Sequence, residues 1–123
     1  MIGLLTNICS INNNLPWISI DLSTAIPSGV TYNSASWLKY NPLTKILIGN
    51  LLITSSVANQ GVILTLPSGV PTPIATKVVG NGLYESPTTQ ALAVLNTAKN
   101  IVASYSAVTS LTNVNYQINA VLG

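Results

Sequence analysis

The chain has 123 residues, which is long enough for one domain with a buried core. Only four lysines and two acidic residues are charged, and histidine and phenylalanine are absent. Four lysines spread along the chain argue against a nucleic-acid-binding protein, because phosphate binding needs clustered Lys or Arg. The many Asn, Ser, Thr and β-branched residues favour an all-β domain.

Cysteine and histidine usage limits the chemistry of the chain. Cys9 is the single cysteine, so the fold is not a disulfide scaffold, and no histidine is available to activate it as a nucleophile. We predict no metal and no cofactor, because one Cys and two carboxylates supply few ligands. We also predict no membrane insertion, since Asn50, Gln60 and three prolines interrupt the uncharged stretch 46–76.

The first predicted element follows an N-terminal extension. We expect residues 1–14 to form a linker or shoulder segment and residues 15–123 to form the β domain. "WISIDL" (17–22) alternates, with Ile18, Ile20 and Leu22 on one face, and therefore predicts a strand.

A hairpin is predicted next. "SWLKY" (36–40) and "KILIGNLLIT" (45–54) flank an Asn41-Pro42 turn, in which Pro42 sets φ and Asn41 can bind its own backbone. Gly49 within the second strand predicts a bulge or a close backbone approach. Lys39 and Lys45 are expected to be solvated and to protect the apolar strand from aggregation.

Two further strands are predicted at "GVILTL" (61–66) and "IATKVV" (74–79), joined by the rigid connection "LPSGVPTP" (66–73). "GNG" (80–82) predicts a turn, because these residues tolerate positive φ.

The segment 88–108 has two interpretations. Leu92, Leu95 and Ala98 lie at helical spacing, whereas "ALAVL" and "IVASYSAV" around a turn at "NTAKN" form a hairpin. The hairpin is favoured, since Asn residues bracket the turn and β-branched residues follow it. The final segment "NVNYQINAVL" (113–122) predicts a half-buried strand with Val114, Tyr116, Ile118 and Ala120 inward and amides outward.

This order of elements resembles the C-terminal head domains of phage receptor-binding proteins and tail fibres, especially those of phages of Gram-positive bacteria. The resemblance lies in Trp17–Leu22, in Ile46–Ile53 with Gly49, and in the turn that contains Leu66, Pro67, Gly69 and Pro71. It covers roughly residues 15–122. It implies an antiparallel β-sandwich or β-barrel head domain that forms a homotrimer.

The resemblance also implies a function. Such heads stand at the tail tip or baseplate of the virion, joined to the remainder of the tail, and bind host cell-wall or cell-surface saccharides without cleaving them. The alternatives are a structural capsid, decoration or pilus-like β subunit, or a carbohydrate-binding module of an enzyme.

Four residues are candidate saccharide contacts. Trp37 lies at a loop edge, where an aromatic face can pack against a pyranose, and packing within the protein is the competing role. Asn81, Tyr84 and Glu85 lie in a loop after the "GNG" segment and offer an amide, an aromatic ring and a carboxylate. For Trp17, packing is the favoured role.

Hydrolysis of a glycan would need two carboxylates, and Asp21 and Glu85 are the two that the chain has. Nothing in the sequence around either residue suggests a tuned acid–base pair, and Asp21 is expected on the solvated face of its strand. We predict no catalytic residues and no enzyme activity.

Overall fold

A computed structural model of the chain describes residues 17–84 and 89–122. Within these ranges the chain forms ten strands and one helix of a single turn. They are β1 (Ile18–Ser19), α1 (Leu22–Ala25), β2 (Trp37–Asn41), β3 (Ile46–Ile53), β4 (Val57–Ala58), β5 (Val62–Thr65), β6 (Lys77–Leu83), β7 (Ala91–Leu95), β8 (Asn100–Tyr105), β9 (Ser110–Leu111) and β10 (Val114–Val121).

Eight of these strands form one antiparallel sheet in the order β1-β2-β3-β10-β6-β7-β8-β5, and β4 pairs with β9. The last strand, β10, lies between β3 and β6, and its pairing with β3 runs from Val114–Ile53 to Val121–Ile46. The predicted all-β antiparallel fold class is confirmed.

The sheet curls so that its two ends approach each other. Tyr32 bridges to Ile53 of β3, and its hydroxyl donates a 2.6 Å hydrogen bond to the carbonyl of Ile63 in β5. A cavity of about 460 Å³ follows this seam, with Ile18 on one side and Thr65 on the other. The Tyr32 side chain thus connects the segment paired with β3 to β5, the strand at the far end of the sheet.

The core fills the inside of the curled sheet. Alternate residues of β3 and β10 point inward, as the period of two along a strand requires. Leu47, Leu51 and Ile53 are fully buried from β3, and Tyr116 and Ile118 from β10. The inward face predicted for the last strand is confirmed.

Both predicted hairpins form. β2 pairs with β3, and Asn41 closes the turn by accepting hydrogen bonds from the backbone N–H of Leu43 and Thr44 at 2.9 and 3.2 Å. β7 pairs with β8, so the hairpin interpretation of 88–108 is confirmed for 91–105. Its turn is closed by the Asn96 side chain, which accepts from the N–H of Ala98 and of Asn100.

The prediction of one strand over 17–22 is wrong beyond Ser19. The Asp21 carboxylate accepts hydrogen bonds from the N–H and the hydroxyl of Ser23 at 2.9 and 2.6 Å, which starts α1. Local capping chemistry thus ends the strand, although Ile20 still packs in the core.

The prediction of a turn at "GNG" is also wrong, because these residues continue β6. A Cβ at Gly80 would collide with the carbonyl of Gln117, and one at Gly82 would lie 2.7 Å from Ala91 Cβ. These glycines serve close packing against β10 and β7, not a positive φ.

None of the described residues belongs to a helix with the length and apolar character that a membrane crossing requires.

Candidate functional site

Two indole rings and one lysine lie together on the outer face of β1 and β2. Trp37 and Lys39 are two residues apart on β2, so their side chains leave the same face. The Lys39 ammonium lies 4.8 Å from the ring centroid of Trp17 and 5.4 Å from that of Trp37, within cation–π range. The two indoles remain 39% and 43% exposed. We call Trp17, Lys39 and Trp37 the indole–lysine cluster.

A line of amides continues from Trp37 across the sheet. Trp37 pairs with Asn50 of β3. Asn50 pairs with Gln117 of β10, and Gln117 pairs with Asn81 of β6. Directly paired residues point to the same face of a sheet, and strands lie about 4.8 Å apart, so this line spans about 14 Å. We call Asn50, Gln117 and Asn81 the amide row.

Two amides on this face have unsatisfied acceptors. The side-chain oxygens of Asn50 and Asn115 are shielded from solvent and have no hydrogen-bond partner among the described residues. Asn115 follows Asn50 diagonally, because it pairs with Leu52. An unpaired buried acceptor costs free energy, and each amide would have to turn outward before a donor above this face could reach its oxygen.

A cavity of about 610 Å³ opens where β6 ends, and the described residues that line it are Leu83, Tyr84, Thr112 and Asn113. The Tyr84 side chain is 42% exposed. Asn113 has a φ of 58°, a left-handed conformation that Asn tolerates and that the tight connection between β9 and β10 uses. A phenol ring, a hydroxyl and an amide around one cavity suit a ligand with hydroxyl groups and an apolar face. We call this cavity the β6 pocket.

The predicted saccharide contacts are distributed over these features. Trp37 lies in the indole–lysine cluster, Asn81 in the amide row, and Tyr84 in the β6 pocket. Glu85 lies outside the described residues. The structure therefore does not bring Trp37 next to Tyr84, but it places Trp37 and Asn81 on one line.

Sequence reasoning did not select several of the residues found here. Lys39 was expected to be solvated, yet it is half-buried between two rings. The alternation of 113–122 predicts that Gln117 faces outward. It does not predict that Gln117 lies between Asn50 and Asn81, which belong to other strands. No sequence signal connects Thr112 and Asn113 with Tyr84, since their proximity depends on the pairing of β10 with β6.

A row of valines occupies a different part of the outer face. Val78 of β6 pairs with Val94 of β7, which pairs with Val102 of β8. Val102 in turn pairs with Val62 of β5. Val78 is 53% exposed, whereas Val102 is buried. We call these four residues the valine row, and it is an apolar strip on the outside of the sheet.

The lowered pKa of Asp21 argues against a role for this residue as a catalytic acid. Its hydrogen bonds from the Ser23 hydroxyl and backbone N–H lower its pKa below the ordinary value. A general acid in glycoside hydrolysis needs a raised pKa. Among the described residues, no three His, Cys, Asp or Glu side chains come together as a metal site would require.

The fold is similar to the crystal structure of the head domain of phage bIL170, a receptor-binding domain of a lactococcal phage. The TM-score is 0.54 and the identity 16%, and the match covers 86% of this chain and 94% of that chain. No protein-family model and no curated protein matches the sequence. The resemblance inferred from the residues is thus confirmed for the fold: this chain is folded like the receptor-binding head domain of a lactococcal phage.

Proposed function

We propose that the chain is the receptor-binding head domain of a phage tail or baseplate protein, which adheres to host cell-surface saccharides without cleaving them. The observation that carries the proposal is the match in fold to the bIL170 head domain over 94% of that chain. Because fold alone does not determine function, the outer face of this chain supplies the second support.

The outer face and the β6 pocket together have the groups that bind neutral or weakly charged saccharides. Tyr84 and Trp37 present exposed aromatic surface. Amides donate and accept hydrogen bonds at once, as sugar hydroxyls do, and Asn81, Gln117 and Asn113 are exposed. The β6 pocket is the centre of the proposed site, with Tyr84 as the platform and Asn113 and Thr112 as hydroxyl partners.

The acid–base groups of the described residues support binding without cleavage. Neither the indole–lysine cluster, the amide row nor the described lining of the β6 pocket contains a carboxylate. Asp21 belongs to none of these three features; it lines the seam cavity and has a lowered pKa. Binding without hydrolysis matches these groups.

We place the contacts of the proposed homotrimer at the valine row. An apolar strip on the outside of a sheet is typical of a surface that another subunit covers, because obligate interfaces resemble a domain core. Three copies of one site on one tail tip would raise avidity through multivalency, without tight binding at each site.

An array of Gram-positive bacterial surface polysaccharides, lactococcal ones included, tests the proposal. We expect the purified chain to bind at least one polysaccharide, and Tyr84→Ala to weaken that binding about tenfold or more through loss of the aromatic platform. Leu43→Ala is the matched control, since Leu43 is 66% exposed in the β2–β3 turn. Bound polysaccharide should show no new reducing ends.

Absence of binding to every polysaccharide on the array would refute the adhesion role. If the chain is a trimer but binds no saccharide, the valine row serves assembly alone, as in a structural capsid or decoration subunit. If it binds saccharide as a monomer, a carbohydrate-binding module is the better description.

A further inference from the structure

We propose that the site takes an extended oligosaccharide, which lies across the strands from Trp37 over the amide row to the β6 pocket. This inference rests on the proposed saccharide-binding function and specifies its ligand as a chain of several sugar units, not a single terminal sugar.

The pairing of the strands is the first argument. Trp37, Asn50, Gln117 and Asn81 are consecutive direct partners in β2, β3, β10 and β6. On the same face, Leu83 is two residues beyond Asn81 and begins the lining of the β6 pocket. Trp37 thus stands at one end of the row, and Tyr84, which follows Leu83 in the chain and lines the β6 pocket, lies beyond the other end.

The chemistry between the two ends is the second argument. An exposed sheet face usually carries charged residues, but this strip carries amides, whose donors and acceptors match sugar hydroxyls. Gln117 and Asn81 are exposed, so a ligand can reach them without a rearrangement. The length of about 14 Å between Trp37 and Asn81 exceeds what a single sugar ring can span.

The unsatisfied acceptors are the third argument. Asn50 lies within the strip and Asn115 beside it, and the described part of the chain offers no donor to the amide oxygen of either residue. A sugar hydroxyl above the strip can donate to either amide once its side chain turns outward. Such a ligand would satisfy two acceptors that the protein leaves unpaired.

The indole–lysine cluster closes the strip at the β2 end. Lys39 lies within cation–π range of the rings of Trp17 and Trp37 and thereby favours this arrangement of the two indoles. An indole that is fixed before binding loses less conformational entropy when a sugar stacks on it.

Size-fractionated fragments of the polysaccharide that binds most tightly on the array, prepared by partial acid hydrolysis, test this inference by calorimetry; if none on the array binds, lactococcal cell-wall polysaccharide is the source of the fragments. We expect affinity to rise with fragment length until a fragment spans the strip, and then to stay constant. We expect Trp37→Ala to weaken the long fragments about tenfold and to leave the short ones unchanged.

A comparison of Gln117→Ala with its control Asn119→Ala tests whether the ligand lies over the amide row. Both residues are exposed on the same face of β10, but Gln117 lies on the strip whereas Asn119 pairs with Ile48, one row away. Loss of a hydrogen bond at Gln117 should weaken long fragments about two- to tenfold, and Asn119→Ala should have no effect.

Two results would overturn the inference and leave the proposed function intact. One is binding whose affinity does not depend on fragment length. The other is binding that Tyr84→Ala abolishes while Trp37→Ala and Gln117→Ala retain full affinity. If no fragment of any length binds, the proposed function and the inference fail together.

Discussion

The phenolic oxygens of Tyr105 and Tyr116 lie 2.7 Å apart in the interior of the curled sheet. Tyr105 belongs to β8 and Tyr116 to β10, and these strands are not neighbours in the sheet. The hydrogen bond therefore crosses the core and satisfies two polar groups that folding removes from water. It links the half of the sheet that carries the amide row to the half that carries the valine row.

We expect Tyr105→Phe and Tyr116→Phe each to lower the free energy of unfolding by about 1–3 kcal/mol, because each leaves one buried hydroxyl without a partner. The double variant should be less destabilised than the sum of the two, since neither hydroxyl then remains. Urea denaturation of the four proteins measures this coupling. Additive losses would show that the two hydroxyls do not act as a pair.

Alkaline pH should destabilise the fold. Burial raises the pKa of Tyr32, Tyr105 and Tyr116 above the ordinary value of about 10. Because the folded-state pKa lies above the unfolded one, their contribution is complete below pH about 10 and is lost as the pH rises further. Denaturation midpoints between pH about 8 and 11 should be flat and then fall. Constant midpoints up to pH about 11 would contradict the prediction.

Gly49→Ala should prevent stable folding. The added Cβ would meet the carbonyl oxygen of Trp37 and lie 2.7 Å from Leu38 Cδ1 and 2.8 Å from Leu38 Cα. We expect a loss of about 3 kcal/mol or more in the free energy of unfolding. Gly69→Ala is the control, because its Cβ would lie 3.6 Å from Ile18 Cδ1, an ordinary contact. Thermal denaturation that finds both variants equally stable would argue against the close approach of β2 and β3.

Val78→Asp tests the proposed subunit contact. We expect it to raise the dissociation constant of the oligomer at least about 100-fold, because the interface would have to bury an unpaired carboxylate. Val78 is 53% exposed within the protomer, so the protomer itself should remain folded. Leu43→Asp, in an exposed turn outside the valine row, should leave the oligomer intact. Light-scattering mass and circular dichroism separate dissociation from unfolding.

Tryptophan fluorescence should report saccharide binding. The chain has two tryptophans, and both belong to the indole–lysine cluster. We expect a polysaccharide that the chain binds to change the emission of the wild-type protein. In Trp37→Phe the response should be smaller than in Trp17→Phe, because the proposed strip begins at Trp37. Binding by calorimetry without any change in emission would place the ligand away from this cluster.

The sequence alone determined several of the local elements of this protein. The alternation of Val114, Tyr116 and Ile118 specified the inward face of β10, because successive side chains on a strand point to opposite faces. Asn41 and Asn96 specified two hairpin turns, because an Asn side chain can bind the backbone two or three residues ahead. These signals are confined to a few neighbouring residues, so they can be identified without a structure.

Predictions from the local sequence were wrong where strand packing or helix capping determined the structure. "GNG" has the composition of a turn, yet Gly80 and Gly82 lie within β6, because neighbouring strands leave no room for a Cβ. "WISIDL" has the alternation of a strand, yet Asp21 starts a helix after it.

Only the tertiary structure decided which residues stand side by side on the outer face. Trp37 and Asn81 belong to strands separated by β3 and β10, and the last strand of the chain inserts between segments that precede it by more than thirty residues. The register of long-range pairs depends on the whole core, not on the residues near either position. The sequence therefore named Trp37, Asn81 and Tyr84 as separate candidates, and the pairing of β2, β3, β10 and β6 placed Trp37 and Asn81 on one line, with Tyr84 just beyond the end of β6.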